Sequence, residues 1–182
     1  MPLRRFDSIR LRPIATTGVS ARRCSRTEAL IAACRLGTGP ANRHLAEPSG
    51  PVRIEMPFGC YQVDDAEIAR RAALQLDGSW RMSEASAFGR LLIRGRALWS
   101  DIAWWRPLQA GDAWDAGEAT DTDALAAFEP RRTTLIVIVD GAAGATLPRA
   151  LADLERRAHR WQRAVRVLLV GAPPGTARHL PL

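Results

Sequence analysis

Two largely apolar runs near the end of the chain constrain its fold more than any other feature. They are residues 135–139 (LIVIV) and 165–170 (VRVLLV). Such runs are typical of strands buried on both faces of a parallel sheet. Between them, residues 147–163 carry apolar side chains at helical spacing, with Thr146 as a cap and Pro148 in the first turn. Strand, helix and strand at this spacing predict a right-handed βαβ unit.

Two earlier helices are predicted from capping-box patterns. In such a pattern, two residues three positions apart each accept, through the side chain, a hydrogen bond from the other's backbone N–H. Ser25 with Glu28 predicts a helix over about 26–36, and Asp64 with Glu67 predicts one over about 65–76. Each pattern is followed by a glycine suited to end the helix. These glycines are Gly37 and Gly78.

Two further segments are interpreted as strands. Residues 52–56 (VRIEM) follow a Gly/Pro-rich segment and are interpreted as a short strand. Residues 91–99 fit both a strand and a helix, because their apolar positions alternate and also recur at helical spacing. A strand is favoured because Gly95 lies in the middle of the segment and Trp99 suits a sheet.

The 182 residues allow one domain with an extension. The predicted fold is α/β: a small, partly parallel sheet with a C-terminal βαβ unit, von Willebrand A-like or Rossmann-like, preceded by helices. We divide the chain into a flexible basic tail (1–24), a helix and Gly/Pro-rich linker (25–51) and an α/β domain (52–182). The tail is poor in acids and rich in arginine. Its composition is typical of an organelle transit peptide, of a disordered tail or of a start codon placed too early.

Composition narrows the chemistry. All 26 basic residues are arginine, which excludes a Walker A lysine, a Schiff-base lysine and a lysine general base. The chain has one Asn, one Tyr and three His, so few groups are available for catalysis, and a non-enzymatic role is favoured. Three cysteines without C-x-x-C spacing predict neither a disulfide framework nor a structural zinc site, and they favour a reducing, cytoplasmic location. We expect no metal and no cofactor. Five of the six tryptophans lie between residues 80 and 114, which predicts a tryptophan-rich core or, alternatively, a stacking platform.

A ligand site, if there is one, is expected where the two C-terminal strands end, because parallel sheets bind ligands at that edge. The loop after residue 170 superficially resembles a phosphate loop, but it lacks lysine and its two prolines remove N–H donors. The candidate ligand-binding residues in the two loops are Asp140, Gly141, Gly144, Gly171, Gly175 and Thr176.

Four short segments occur in order along the middle of the chain: Arg94-Gly95, residues 106–112 (RPLQAGD), Phe128-Glu129 with Arg131-Arg132, and residues 135–140 (LIVIVD). They resemble a bacterial family of unknown function whose members carry a von Willebrand factor A-like domain. The family pattern runs from R-G-x-G through R-P-Y-x-P-G-D-D and F-E-x-E-R to an apolar strand that ends in D-x-S-x-S.

This resemblance implies a protein partner, because members of that family commonly accompany MoxR-type AAA+ ATPases. Both serines of D-x-S-x-S are replaced here, by Ala142 and Gly144. The family's I-D-W segment is missing, with only Trp114-Asp115 nearby. The resemblance therefore implies that this chain is a truncated relative with a degenerate metal site. The family's metal-dependent adhesion is not expected of it.

Three functions follow as expectations. The first is a protein–protein interaction or adaptor module that partners an AAA+ ATPase. The second is a small ligand- or nucleotide-binding domain, or an enzyme, whose site lies at Asp140 and residues 171–176. The third is nucleic-acid binding through the arginine-rich ends, since the formal net charge is +7. No apolar run reaches the roughly 20 residues needed to span a membrane. The candidate interaction residues are Arg94, Arg106, Asp112, Arg156, Arg160 and Arg163.

We predict that Asp140 holds no functional metal ion. Mg²⁺ prefers octahedral oxygen coordination from more than one protein ligand, and the neighbouring Ala142 and Gly144 supply no side-chain oxygen. Calorimetric titration with Mg²⁺ or Mn²⁺ is expected to give no binding signal. The substitution Asp140→Asn is expected to lower the free energy of unfolding by at most about 1–2 kcal/mol. Saturable metal binding that disappears in this variant contradicts the prediction.

Overall fold

The computed structural model describes residues 14, 24–38, 54–78, 85–102, 114–119, 125–126, 128–130, 132–139, 146–161, 163–171 and 178–179. Within these ranges the helices are α1 (Ser25–Arg35), α2 (Ala66–Leu76), α3 (Ala87–Ile102) and α4 (Leu147–Ala158). The strands are β1 (Phe58–Val63), β2 (Asp115–Ala119), β3 (Thr134–Ile138), β4 (Val165–Val170) and β5 (Arg178–His179).

The five strands form one sheet in the order β2-β3-β4-β1-β5, and every neighbouring pair is parallel. The predicted pairing of the two C-terminal strands is confirmed, with Thr134 opposite Val165 and Ile138 opposite Leu169. Every residue of β3 and of β4 is buried, as expected for strands covered on both faces. The predicted α/β fold class is therefore confirmed.

Each face of the sheet has its own apolar core. On one face, α1 and α2 pack against alternate residues of β1, β3 and β4, including Val63, Leu135 and Leu168. On the other face, α4 packs against the intervening residues, including Ile136 and Val167. The apolar side of α4 is buried where the sequence predicts it, at Leu147, Ala150, Leu151, Leu154 and Ala158. The described chain thus forms three layers: helix, sheet and helix.

A buried arginine joins α1 to the sheet. Arg166, the second residue of β4, is 0% exposed. Its Nε donates to the carbonyl oxygen of Cys34 at 3.0 Å, and Nη2 donates to those of Leu36 at 2.8 Å and Met56 at 2.9 Å. Its Nη1 donates to the carbonyl of Val165 at 3.1 Å. The first two acceptors belong to the last turn and C-cap of α1, where carbonyl oxygens have no partner within the helix.

Close contacts surround this arginine and the end of α1. Gly59 is the register partner of Arg166 on β1, and a Cβ added at Gly59 would lie 3.0 Å from the Arg166 Cδ. The Tyr61 hydroxyl, on the same face, donates to the carbonyl of Ala33 at 3.4 Å. Gly37, which follows α1, has a φ of 63° and lies so close to Met56 that a Cβ would meet its side chain at 2.6 Å. The end of α1 is therefore held from several directions.

The helix boundaries differ from the prediction by small amounts. The residue before α1 is Cys24, so Ser25 is the first helical residue and not the N-cap. In α2 the N-cap is Asp65, whose carboxylate accepts from the N–H groups of Glu67 at 2.8 Å and Ile68 at 3.4 Å. The helix α4 ends at Ala158, five residues before the predicted end. The chain turns at residues 159–160, and beyond the turn Trp161 packs edge-to-face against Phe128 with ring centroids 6.3 Å apart.

Residues 91–99 are part of α3, so the interpretation of this segment as a strand is wrong. The helix is favoured by its N-terminus, where the Ser86 hydroxyl accepts from the N–H of Gly89 at 3.2 Å. The apolar positions then follow the helical period. Gly95 lies inside the helix and marks no bulge in a sheet.

The N-terminal third is only partly described. Residues 39–53 lie outside the described ranges, and they include most of the predicted linker and the first two residues of the predicted strand over 52–56. Of the described residues of that strand, Ile54 forms a bridge. Within the predicted tail, Ile14 is 8% exposed and belongs to the core that contains α1 and α2. The helix α1 shares that core with the sheet, so it belongs to the packed α/β body.

We expect Arg166→Met to lower the free energy of unfolding by about 3 kcal/mol, because it leaves buried carbonyl oxygens without donors. Arg156→Met is the matched control. The Arg156 side chain is 78% exposed and pairs with Asp153, so its loss is expected to change stability by less than about 0.5 kcal/mol. Denaturant unfolding of both variants measures the difference. Similar stability of the two variants contradicts the role given to Arg166.

Candidate functional site

The carboxyl ends of the parallel strands lie at one edge of the sheet, where the sequence predicts a ligand site. Val170 ends β4 and is followed by Gly171, which is exposed and has a φ of 71°. Ile138 ends the neighbouring strand β3, so the two predicted loops start from adjacent strands. The loop residues Asp140, Gly141, Gly144, Gly175 and Thr176 lie outside the described residues. Their roles stay predictions.

The sequence reasoning missed β1, which brings two carboxylates to the same edge. Asp64 and Asp65 directly follow Val63, the last residue of β1. Asp65 is occupied as the N-cap of α2. The strand is hard to predict because Cys60 and Gln62 interrupt the apolar pattern on one face, and Gly59 interrupts it on the other. A buried strand is indicated only by the pairing with β4.

The connections that leave this edge run to opposite faces. The chain leaves β1 toward α2 on one face and leaves β3 toward α4 on the other. The end of β4, at Gly171, lies between these two connections. Open α/β sheets bind ligands where adjacent connections diverge in this way. The geometry of the described backbone is therefore compatible with the predicted ligand edge.

The most prominent surface feature lies elsewhere, on α3. Four large apolar side chains of this helix are exposed: Phe88 (68%), Leu91 (65%), Leu92 (58%) and Trp99 (60%). Their spacing of three, four and seven residues places them on one side of the helix. We call this set the α3 stripe. A group of exposed apolar side chains at helical spacing is typical of an interaction site, whereas single exposed apolar residues are ordinary.

The tryptophans do not form one cluster in the described part of the chain. Trp114 is 6% exposed and belongs to the core, as predicted. Trp99 is exposed on α3, and Trp161 packs at the end of α4. The remaining three tryptophans, including Trp104 and Trp105, lie outside the described residues.

The structure describes the backbone positions of four of the six candidate interaction residues. Arg94 lies on α3, Arg156 lies on α4, and Arg160 and Arg163 follow the end of α4. The early end of α4 removes the single helical face that Arg156, Arg160 and Arg163 are expected to share. Arg106 and Asp112 lie outside the described ranges.

Arg157 has a structural role that the sequence reasoning missed. Its guanidinium donates to the carbonyl oxygens of Phe128 at 2.9 Å and Leu125 at 2.6 Å. The same group lies 5.5 Å from the centre of the Trp161 ring, within the range of a cation–π contact. Arg157 therefore holds the segment between β2 and β3 against the end of α4. Its position in a run of helical arginines gives no sign of this role.

The three cysteines differ in chemical environment. Burial raises the pKa of the Cys34 thiol to about 12 and that of Cys60 to about 12. Cys24 precedes α1 and is half-buried, and hydrogen bonds from the backbone of Thr27 and Arg26 lower the pKa of its thiol. Thiolates are the reactive form, so we expect Cys24 to be the most reactive of the three at neutral pH.

The described residues contain neither a group of metal ligands nor a membrane-spanning helix, and no known protein matches the chain. Across the described residues, no three His, Cys, Asp or Glu side chains come together in a way that could hold a metal ion. None of the helices in those ranges is long and apolar enough to cross a membrane. No family model, curated protein or solved structure matches the chain.

We expect a thiol reagent such as dithiobis(nitrobenzoate) to react quickly with one thiol of the native protein and slowly with two. The fast phase is assigned to Cys24, and its rate against pH is expected to have a midpoint below the usual value of 9.0. The substitution Cys24→Ser is expected to abolish this phase. A fast phase that persists in Cys24→Ser contradicts the assignment.

Proposed function

We propose that this protein is a non-enzymatic interaction module that binds a protein partner through the α3 stripe. The observation that carries this proposal is the exposure of Phe88, Leu91, Leu92 and Trp99 on one side of a single helix. Exposed apolar surface of this kind is stabilised by removal from water, at roughly 25 cal/mol per Å² of apolar area. A helix that presents such a surface suits a partner with an apolar groove or a second helix.

The use of the arginines supports a protein-binding role over a nucleic-acid-binding one. On α4, Arg156 pairs with the carboxylate of Asp153, and Arg157 donates to two backbone carbonyls. Phosphate recognition requires basic groups that are available on one face. Two of the three arginines of α4 instead satisfy acceptors of the protein itself.

The resemblance to the von Willebrand A-like family points to an AAA+ ATPase as the partner. This identification rests on the four sequence segments described above and is part of the proposal. Three of those segments fall at least partly within the described residues: Arg94-Gly95 lies in α3, Phe128-Glu129 lies between β2 and β3, and residues 135–138 lie in β3. The α3 stripe therefore surrounds one of the segments that carry the resemblance.

A second candidate function is ligand binding at the carboxyl edge of the sheet. The specific observation is that the connections after β1 and β3 run to opposite faces, with Gly171 between them. Small polar ligands suit this edge, and the loops with Asp140 and Thr176 would contribute the contacts. A thermal shift on addition of nucleotides distinguishes this function from the first.

Affinity capture from an extract of the native host tests the proposed function. The full-length protein is expected to retain an AAA+ ATPase, identified by mass spectrometry, because removal of the apolar α3 stripe from water favours binding. The variant Leu91→Ser/Leu92→Ser is expected to lose at least about nine-tenths of the captured ATPase, because apolar anchors dominate binding energy.

Leu36→Ser is the matched control, since Leu36 is an exposed leucine (63%) outside α3 and only its backbone carbonyl binds Arg166. This variant is expected to capture the ATPase as the unaltered protein does. Equal capture by all three proteins, or capture of no ATPase, contradicts the proposal. Circular dichroism checks that α3 and the sheet are intact in each variant.

A further inference from the structure

We propose that Cys24 is a site of reversible oxidation by hydroperoxides, at which the Thr27 hydroxyl and the Arg71 guanidinium receive the oxygen transferred to sulfur. The site lies at the start of α1 and is separate from the α3 stripe, so the inference goes beyond the proposed function. It depends on three observations: the position of the thiol, two buried donors without partners near it, and the placement of the other two cysteines.

The thiol lies at the N-cap of a helix. Cys24 directly precedes α1, whose 11 residues begin at Ser25, and it is partly exposed, so a small oxidant can reach it. The first N–H groups of a helix have no partners within the helix and carry partial positive charge. Here the N–H groups of Thr27 and Arg26 are the main groups that lower the pKa of the thiol. The nucleophilic thiolate is therefore favoured at this position.

A buried hydroxyl beside the thiol is left without a partner by the fold. Thr27 is 1% exposed, and its Oγ1 makes no hydrogen bond of normal geometry to any described residue. The same hydroxyl is one of the groups that lower the pKa of Cys24, so it faces the sulfur. Because a buried polar group without a partner is destabilising, the position points to an acceptor that arrives after folding.

A second buried donor comes from the neighbouring helix. Arg71 of α2 lies near enough to the thiol for its positive charge to lower the pKa of Cys24. Its Nη2 pairs with Glu67, but its Nε is buried and has no partner among the described residues. The ion pair with Glu67 restrains the guanidinium while Nε stays available. Two buried donors, one on α1 and one on α2, are thus left over near one reactive sulfur.

This arrangement suits an oxygen atom bonded to the sulfur. Such an oxygen accepts hydrogen bonds, which a hydroxyl and a guanidinium can both donate. A metal cation is disfavoured at the same place by the charge of Arg71 and by the N-terminus of α1. A hydroperoxide supplies the oxygen, and the negative charge that develops on its leaving oxygen is stabilised by the same donors.

Oxidation begins with attack of the Cys24 thiolate on one oxygen of the hydroperoxide. The S–O bond forms as the O–O bond breaks, so the sulfur is oxidised and the peroxide is reduced. The other oxygen leaves as an alkoxide, or as hydroxide when the oxidant is hydrogen peroxide, and takes a proton from water. The product is a sulfenic acid on Cys24.

The sulfenic acid is reduced by thiols from outside the chain. Cys34 lies at the other end of α1, about 15 Å along the helix, and Cys60 packs on the opposite face of the sheet. A disulfide requires Cα atoms less than about 7 Å apart, so neither can pair with Cys24 in the folded protein. Attack of a small thiol on the sulfenic sulfur forms a mixed disulfide and releases water. Exchange with a second small thiol then frees Cys24 and releases the disulfide of the two small thiols.

The test measures the rate at which hydrogen peroxide oxidises Cys24 in the full-length protein. A dimedone-based probe labels the sulfenic acid, and peptide mass spectrometry locates the label. The variant Thr27→Val removes the buried hydroxyl and keeps its shape, and it is expected to slow oxidation at least about tenfold. Thr27→Ser keeps a hydroxyl and is expected to stay within about threefold of the unaltered protein. Ser25→Ala, which removes an exposed hydroxyl of the same turn, is the matched control and is expected to change nothing.

Arg71→Met tests the guanidinium against a control on the same helix. It removes the donor and the positive charge but keeps an apolar stem, and it is expected to slow oxidation at least about tenfold. Arg70→Met is the matched control, because Arg70 pairs with Glu118 and is not among the groups that act on the thiol. Oxidation in this variant is expected to match the unaltered protein. Circular dichroism compares the folding of all variants.

Iodoacetamide separates the transfer of oxygen from a general effect on the thiolate. Alkylation requires the thiolate but transfers no oxygen, so a smaller thiolate population slows both reactions alike. We expect Thr27→Val to slow the alkylation of Cys24 by less than about threefold. Equal slowing of alkylation and oxidation contradicts the inference.

Three further outcomes overturn the inference. They are unchanged oxidation in Thr27→Val and Arg71→Met, labelling of Cys34 or Cys60 ahead of Cys24, and failure of glutathione followed by dithiothreitol to restore the Cys24 thiol. If Thr27→Val does not fold, the Arg71→Met pair and the site of labelling in the unaltered protein still decide. None of these outcomes affects the proposed function, because capture through the α3 stripe is measured on the reduced protein.

Discussion

The guanidinium of Arg166 is the interaction on which the arrangement of the N-terminal half depends. A fully buried cation is costly, and desolvation lowers the pKa of this arginine from its usual value. Within the described residues its partners are backbone carbonyls, two of which lie at the end of α1. These carbonyls would otherwise be buried without donors, so the arginine and the helix end satisfy each other. The core between α1, α2 and the sheet forms around this contact.

Arg157 repeats the same principle on the opposite face. It fixes the segment that contains Leu125 and Phe128 through their carbonyls, as Arg166 fixes the end of α1. In both cases the planar guanidinium reaches several acceptors at once, which a lysine ammonium does less well. An exclusively arginine composition is therefore compatible with structural use of the basic residues. The exposed α3 stripe belongs to neither core.

The C-terminal βαβ unit could be predicted because its signals are local. Residues 135–139 form a continuous apolar run, which burial on both faces of the sheet explains. The side of α4 that includes Leu151 and Leu154 is apolar at the helical period, which burial of that one side explains. The position of β1 could not be predicted, since Gly59 and Gln62 are explained only by neighbours far away in the chain. The same holds for Arg166, a charge within an apolar run whose acceptors lie about 110–132 residues earlier.

The general position of a ligand site at the sheet edge could be predicted from the sequence, but the exposed apolar surface of α3 could not. The carboxyl edge follows from parallel strands, and the structure confirms that β3 and β4 are neighbours there. The α3 stripe was obscured because residues 91–99 alternate in a way that fits a strand as well as a helix. The choice depends on Ser86, whose hydroxyl accepts from the N–H of Gly89 and caps the helix.

The order of the strands also determines when the protein can fold during its synthesis. β1 pairs with β4, and the acceptors on α1 meet Arg166 only after about 130 further residues have been added. At about 5–20 residues per second, that interval lasts roughly 7–26 s on the ribosome. During it, β1, α2 and the apolar side of α3 are present without the strand that completes the sheet. The protein therefore passes through a growing stage in which a chaperone has more exposed apolar surface to bind than the finished molecule offers.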